Sequence, residues 1–159
     1  MTGPALFYVI AHNMRSLQNV GSIFRTADAF AVTKVFLTGY TGTPPDDKIT
    51  KTALGAEKTV PWEHHRLASK VINQLKAEHK GLQVVGLENN VKGNVVSLAS
   101  FKPQGPVALV LGTETTGIPK NIIKLCDKLV EIPMKGQKES LNVAVAFGIA
   151  AYEIRELEK

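Results

Sequence analysis

Apolar residues follow one another almost without polar interruption in four short stretches, residues 6–11, 34–38, 82–87 and 107–111, and these limit the fold more than anything else in the chain. A strand with one wet face alternates apolar and polar side chains, whereas a strand apolar at successive positions is covered on both faces. The residues between the stretches repeat at helical spacing instead. Val20, Ile23, Phe24, Ala27 and Ala31 form one such set, and Leu67, Val71, Ile72 and Leu75 another that ends near Gly81. Strands that alternate with helices and are buried on both sides predict an α/β fold, with a mainly parallel sheet flanked by helices.

The remaining punctuation fits that scheme. Asn19 reads as the cap of the first helix, and Gly39 closes the second strand before a loop at residues 40–47 that holds Gly42, Pro44 and Pro45. Residues 59–62 read as a short strand, residues 95–101 as either element, and residues 103–106 as a turn. A glycine-bounded loop at 112–117 leads to Pro119, at the first position of a short helix. A strand at 129–132, a loop at 133–140 and a long helix at 141–157 complete the chain. Parallel α/β sheets place ligands beyond the carboxyl ends of their strands. Here those ends are Leu87-Glu88, Leu111-Gly112 and Ile132-Pro133, and small and polar residues gather just past them.

Composition narrows the partners. With 44% apolar and 21% charged residues the chain reads as one soluble globular domain over residues 1–159. Residues 141–152 are too few and too rich in Ala and Gly to span a membrane. The start lacks the basic region and cleavage site of a signal peptide. Cys126 is the single cysteine, so no internal disulfide forms, which fits a cytoplasmic location. The formal net charge of +5 tilts the partners modestly toward polyanions. No GxGxxG follows the first strand and no phosphate-binding GxxxxGK[ST] occurs; His12, His64, His65 and His79 lack metal-ligand spacing, so no metal is expected. His79, near a helix end, reads as a cap.

Three segments concentrate the polar chemistry. In the first, Asn19 to Ala27, Ser22, Arg25 and Thr26 leave the apolar face of the helix. Gly21 lets a backbone or phosphate approach, and the free N–H groups of the helix start form an anion site. Alone it reads better as a capped helix with a solvated arginine. In the second, Leu109 to Pro119, a buried strand enters a loop with glycine at both ends and Glu114 as its one carboxylate. The plain alternative has Glu114 complementing the following helix. In the third, Ile132 to Val143, Gly136 marks a turn, and Ser140 or Asn142 caps the last helix. That helix carries two apolar stripes, Val143, Phe147 and Ala151 on one side and Val145, Ile149 and Tyr152 on the other. It therefore needs two partners, of which one is the chain's own sheet and a second subunit is a candidate for the other.

In order and content the segments resemble the three motifs of the SpoU (TrmH-like) branch of the SPOUT RNA methyltransferases. The matching residues are Asn19, Gly21 and Arg25, then Leu-Val-Leu-Gly-Thr-Glu and Gly-Ile-Pro within 109–119, then Ile-Pro-Met, Gly136 and Ser-Leu-Asn-Val within 132–143. Thr113 departs from the asparagine frequent there, and Thr115-Thr116 from a more glycine-rich stretch. The resemblance implies a SPOUT fold with a deep trefoil knot near the C-terminus, a homodimer, and no additional RNA-binding extension. It implies S-adenosylmethionine held with its adenine among Leu87, Gly112, Ile132, Met134 and Leu141. The catalytic set it implies is Arg25 and Asn19, facing Ser140 and Asn142, with Glu114 holding that network. The reaction it implies is methylation of a ribose 2′-hydroxyl in structured RNA, with transfer RNA expected before ribosomal RNA. The rivals are a non-catalytic RNA-binding or assembly factor on the same scaffold and a base methyltransferase; the five polar residues and the Arg25-plus-Asn142 pattern weigh against these.

Overall fold

The structure, a computed structural model, describes residues 3–157, so the outermost two residues at each end of the expected 1–159 domain lie outside the described residues. The strands are β1 (Phe7–His12), β2 (Lys34–Thr38), β3 (Trp62–His65), β4 (Gln83–Leu87), β5 (Val95–Ser97), β6 (Val107–Leu111) and β7 (Lys128–Glu131). The helices are α1 (Leu17–Ala29), α2 (Asp47–Ala53), α3 (Ala56–Thr59), α4 (Ala68–Glu78), α5 (Lys120–Ile123) and α6 (Val143–Glu156), with a 3₁₀ turn at Leu98–Ser100. Every strand pairing is parallel, and the strands lie in the order β3-β2-β1-β6-β4-β7-β5.

The uninterrupted apolar runs explain this architecture. On β1, Phe7, Val9 and Ala11 enter the core shared with α1, α2 and α6, whereas Tyr8 and Ile10 enter the core shared with α4 and α5. On β6, Val107, Leu109 and Leu111 face the first layer, and Ala108 and Val110 the second. Burying each large side chain stabilises the fold by roughly 1.5–3 kcal/mol, and Phe24 of α1 and Phe147 of α6 are both fully buried in the first layer. The helices that carry the first and third motifs are thereby fixed against the same sheet face. Because every strand runs the same way, their carboxyl ends share one edge.

Several elements differ from expectation. The first helix is capped by Ser16, whose Oγ accepts from the Asn19 amide; Asn19 lies inside the helix with its side chain released for other work. The strand expected at 59–62 is Trp62–His65, because α3 occupies the preceding residues. Neither α2 nor α3 is anticipated by periodicity, since helices of 7 and 4 residues offer too few turns to show it. Residues 95–101 resolve into β5 and the 3₁₀ turn. The last helix starts at Val143 with Asn142 as its cap. His79 does end α4, and its Nε2 lies 2.9 Å from the Tyr8 hydroxyl.

Gly21 serves packing and not a phosphate. A Cβ at that position would collide with Thr52 Oγ1 and the Ile49 carbonyl of α2. In an open helix Gly→Ala gains about 1 kcal/mol, but overpacking against backbone costs typically 1–3 kcal/mol. Gly21→Ala is therefore expected to lower Tm by several degrees in a thermal melt instead of raising it.

Candidate active site

A cavity of about 330 Å³ opens at the carboxyl ends of β4, β6 and β7. Leu87, Ile132, Leu141 and Val143 supply apolar wall, while Glu88, Asn89, Asn90, Glu114, Glu139, Ser140 and Asn142 supply the polar part. An apolar slot with a few convergent polar groups is the usual form of a small-molecule site. The second and third motif segments both line it. Of the expected residues, Leu87, Gly112, Glu114, Ile132, Ser140, Leu141 and Asn142 are on its wall.

Asn19 joins the site through hydrogen bonds. Glu114 Oε2 accepts from the Arg15 amide at 3.1 Å, and Oε1 from the Ser16 amide at 3.1 Å and from Asn19 Nδ2 at 3.4 Å. Asn142 Nδ2 donates to Asn19 Oδ1 at 3.2 Å, and Asn142 Oδ1 accepts from the amides of Ala144 and Val145 at the start of α6. This chain sets the direction of both amides. A carboxylate only accepts, so Asn19 turns its NH₂ toward Glu114 and its carbonyl toward Asn142. The helix start needs an acceptor, so Asn142 turns its carbonyl there and its NH₂ back to Asn19.

The Glu114 carboxylate thus takes the two amides that lead into α1, those of Arg15 and Ser16, and the Ser16 Oγ takes the Asn19 amide in its first turn. Glu114 is the one carboxylate of its own loop, and Glu88 and Glu139 join it on the cavity wall from neighbouring segments. Partial burial raises the Glu114 pKa, but the Ser16 and Arg15 amides and the Asn19 side chain outweigh it and hold the carboxyl below its ordinary value.

Gly112, on the cavity wall, is also required by its own loop. A Cβ there would strike the backbone of Gly117 and Ile118, so the glycine lets the loop fold on itself. Thr113 and Gly117 exchange N–H···O bonds of 3.2 and 3.1 Å. The Thr113 hydroxyl accepts the Thr116 amide at 3.0 Å and lies 2.7 Å from the Thr116 hydroxyl. The threonines that depart from the motif thus close this turn with their own side chains.

Three residues of the site escaped the sequence argument. Glu88 Oε2 accepts the Ile118 amide at 2.8 Å, anchoring the far side of that loop. Asn89 donates to the Ile132 carbonyl at 2.9 Å and accepts its amide at 3.2 Å, extending the β4–β7 pairing by a side chain. Asn90 Nδ2 donates to the Glu139 carbonyl at 3.2 Å. Their one signal was position, immediately beyond a strand's carboxyl end. Arg25 and Met134 do not reach the cavity wall. Arg25 is exposed on α1 and, among the described residues, forms no hydrogen bond or ion pair.

A parallel α/β sheet with a ligand cavity at its carboxyl edge, built from three separated polar segments, defines a class of ligand-binding α/β proteins. Comparison with known proteins makes that specific. The SpoU rRNA Methylase family model matches residues 6–152. The 23S rRNA (guanosine-2′-O-)-methyltransferase RlmB of Ralstonia nicotianae is 33% identical over 151 residues, which are 95% of this chain and 58% of that protein. The crystal structure of an AdoMet-bound rRNA methyltransferase from Sinorhizobium meliloti superposes with a TM-score of 0.86 at 28% identity, covering 97% of this chain and 57% of that one. A structure described as giving insight into 2-OH methylation of C/U34 on tRNA superposes with a TM-score of 0.85 at 25% identity, covering 98% of this chain and 97% of that one. The chain belongs to the SpoU rRNA methylase family, and its fold is that of the SPOUT methyltransferases. It spans little more than half the length of the curated relatives it matches.

Glu114 gives this region a testable acid sensitivity. A carboxyl with a depressed folded pKa adds stability that is present above its unfolded pKa and lost as pH falls through the folded value. Replacing Glu114 by Gln is expected to cost about 1 kcal/mol at neutral pH, a Tm loss of about 2–4 °C. Melts at successively lower pH should show the variant and the parent converge.

Proposed function

We propose that this chain uses S-adenosylmethionine to methylate a ribose 2′-hydroxyl in RNA, as part of a homodimer. The observation that carries the reading is the convergence of the three motif segments, through Glu114, Asn19 and Asn142, on one cavity at the sheet's carboxyl edge. The donor set fits the cofactor. Leu87, Ile132 and Leu141 give apolar wall for a purine, and the loops at 112–117 and 132–142 bring backbone groups for its edges. The knot implied by the resemblance belongs to this reading and would involve the same two loops. Met134 stays a cofactor candidate on the resemblance alone.

Bound there, the cofactor supplies a methyl group already activated by a sulfonium. The chain's own residues then have to place a ribose oxygen in line and keep water from competing. Asn19 and Asn142 present fixed amide dipoles beside the cavity, and Ser140 adds a hydroxyl on its wall. A guanidinium, all donors and no acceptor, makes a poor base. The role of Arg25 in this reading is to grip the ribose or the adjoining phosphate. A factor that only bound RNA would have no use for a cofactor-sized cavity framed by this network.

The homodimer rests on α6. Val145, Ile149 and Tyr152 are 53%, 39% and 51% exposed and form the stripe opposite the buried Phe147 and Ala151. An exposed Arg25 on the neighbouring α1 suits a site completed across a two-fold interface.

For the substrate, the curated relatives named as 23S rRNA enzymes support ribosomal RNA over the transfer RNA expected from sequence. Transfer RNA is the second reading, favoured by a comparison in which this chain spans nearly the whole of the other protein. Incubating purified ribosomal and transfer RNA with labelled cofactor, then mapping 2′-O-methyl positions, separates them. Incorporation into neither, with cofactor bound, would defeat the proposed activity.

Arg25→Ala should leave the melting temperature and cofactor affinity nearly unchanged while lowering single-turnover methyl transfer about 10²-fold or more. Arg25→Lys should recover little, because an ammonium lacks the two-pronged guanidinium. Ile149→Asp should convert the dimer to monomer in light scattering, and with it abolish methylation while leaving the fold intact by circular dichroism.

A further inference from the structure

The cavity occupies the carboxyl ends of β4, β6 and β7, but the sheet's edge continues past it along β1, β2 and β3. His12, Thr38 and His65 are in register there, so the three strands end together. Neighbouring strands lie about 4.8 Å apart, so the ledge from β6 to β3 runs roughly 14 Å. It begins at the cavity, because Arg15 is held by its amide to Glu114.

The ledge is rigid and outward-facing. Asn13 and Gly39 both adopt left-handed backbone, with φ of 52° and 66°. A side chain on Gly39 would run into Asn13, whose Oδ1 accepts the Tyr40 amide at 3.0 Å. His64 Nε2 donates to the Gly39 carbonyl at 2.9 Å, and the Gly39 amide donates to the His65 carbonyl at 3.1 Å. So much bonding fixes the backbone at Tyr40, yet the ring itself is 58% exposed. Among the described residues the Tyr40 side chain has no hydrogen bond and no ring partner. Arg15 follows β1 and Arg66 follows β3, the strands on either side of β2, and both are exposed and, among the described residues, without an ion pair. The nearby acids are committed or set back. Glu114 serves the start of α1, Glu63 lies against Lys34 and His65, and Asp46 caps α2, with Asp47 in that helix's first turn.

An exposed aromatic on a fixed turn, with an exposed arginine beyond the strand on each side, matches a single-stranded nucleic acid. Bases of any identity stack on such a ring, and arginines meet the phosphates on either side. We infer that the ledge of Arg15, Tyr40 and Arg66 holds unpaired RNA nucleotides flanking the target ribose, with Tyr40 as the stacking platform. The inference rests on the RNA methylation reading and adds where the strand lies and that it is unpaired.

Fluorescence anisotropy with a labelled RNA hairpin bearing an unpaired loop, beside a blunt RNA duplex, tests it on the full chain. Tyr40→Ala should weaken hairpin binding about 5- to 100-fold and leave duplex binding unchanged, while Tyr40→Phe retains hairpin affinity. Arg66→Ala should weaken hairpin binding and lower its log–log salt slope by about 1. Cofactor affinity by calorimetry and subunit mass by light scattering should not change in any of the three. The proposal is overturned if Tyr40→Ala changes hairpin affinity less than about twofold, weakens the duplex equally, or alters the subunit mass, the last assigning the ledge to a second copy of the chain. A parent protein that binds no hairpin also overturns it. Methyl transfer to purified RNA by that same parent protein reads the enzymatic function separately.

Discussion

Glu114 lies just past the end of β6 and turns its carboxylate away from the helix that follows it, toward the residues that lead into α1. That one group holds two backbone amides and the side chain of Asn19, and Asn19 holds Asn142 at the start of α6. Segments separated by roughly a hundred residues of chain are thus joined by one negative charge and two amides. The charge gives the network its direction. Were either amide reversed, an acceptor would face an acceptor beside a carboxylate, which costs more than any single bond in the chain returns.

The network works only because α1 and α6 are already fixed. Both bury a phenylalanine in the same layer, against β1 and β6 at the centre of the sheet. Apolar burial brings the helices to the right place within ångströms, and the polar groups then choose the register. The loops divide the labour in the same way. Gly112 and Gly117 let the 112–117 turn close on itself, Thr113 and Thr116 lock it, and Glu88 and Asn89 tie the turn and the end of β7 back to β4. The cavity is a by-product of parallel strands whose connections all begin at one edge.

The isolated chain leaves two things unfinished, and both lie on the faces of α1 and α6 that turn from the core. Arg25 has no partner among the described residues, and the stripe of Val145, Ile149 and Tyr152 remains in water. A soluble protein seldom keeps such a stripe bare beside a functional site, and apolar area of this kind ordinarily marks an interface. The ledge at β1 to β3 differs in kind, being cationic and aromatic instead of aliphatic, which is why it points to a polyanion and the α6 stripe to a second copy.

The sequence by itself determined the parallel sheet, because runs such as Val107–Leu111 are apolar at every position and admit no wet face. It also determined the three polar segments and the two-sided last helix, since the spacing of Val145, Ile149 and Tyr152 is a local property of a helix. Only the tertiary structure decided which local role each polar residue plays. Ser16 and not Asn19 caps α1, Gly21 meets α2 and not a phosphate, and Gly112 meets its own loop. Glu88 and Asn89 carried no motif, and their roles come from what lies across from them in space. A residue's propensity is written in its neighbours along the chain, but a hydrogen bond or a collision is set by atoms that the chain brings near only after it has folded.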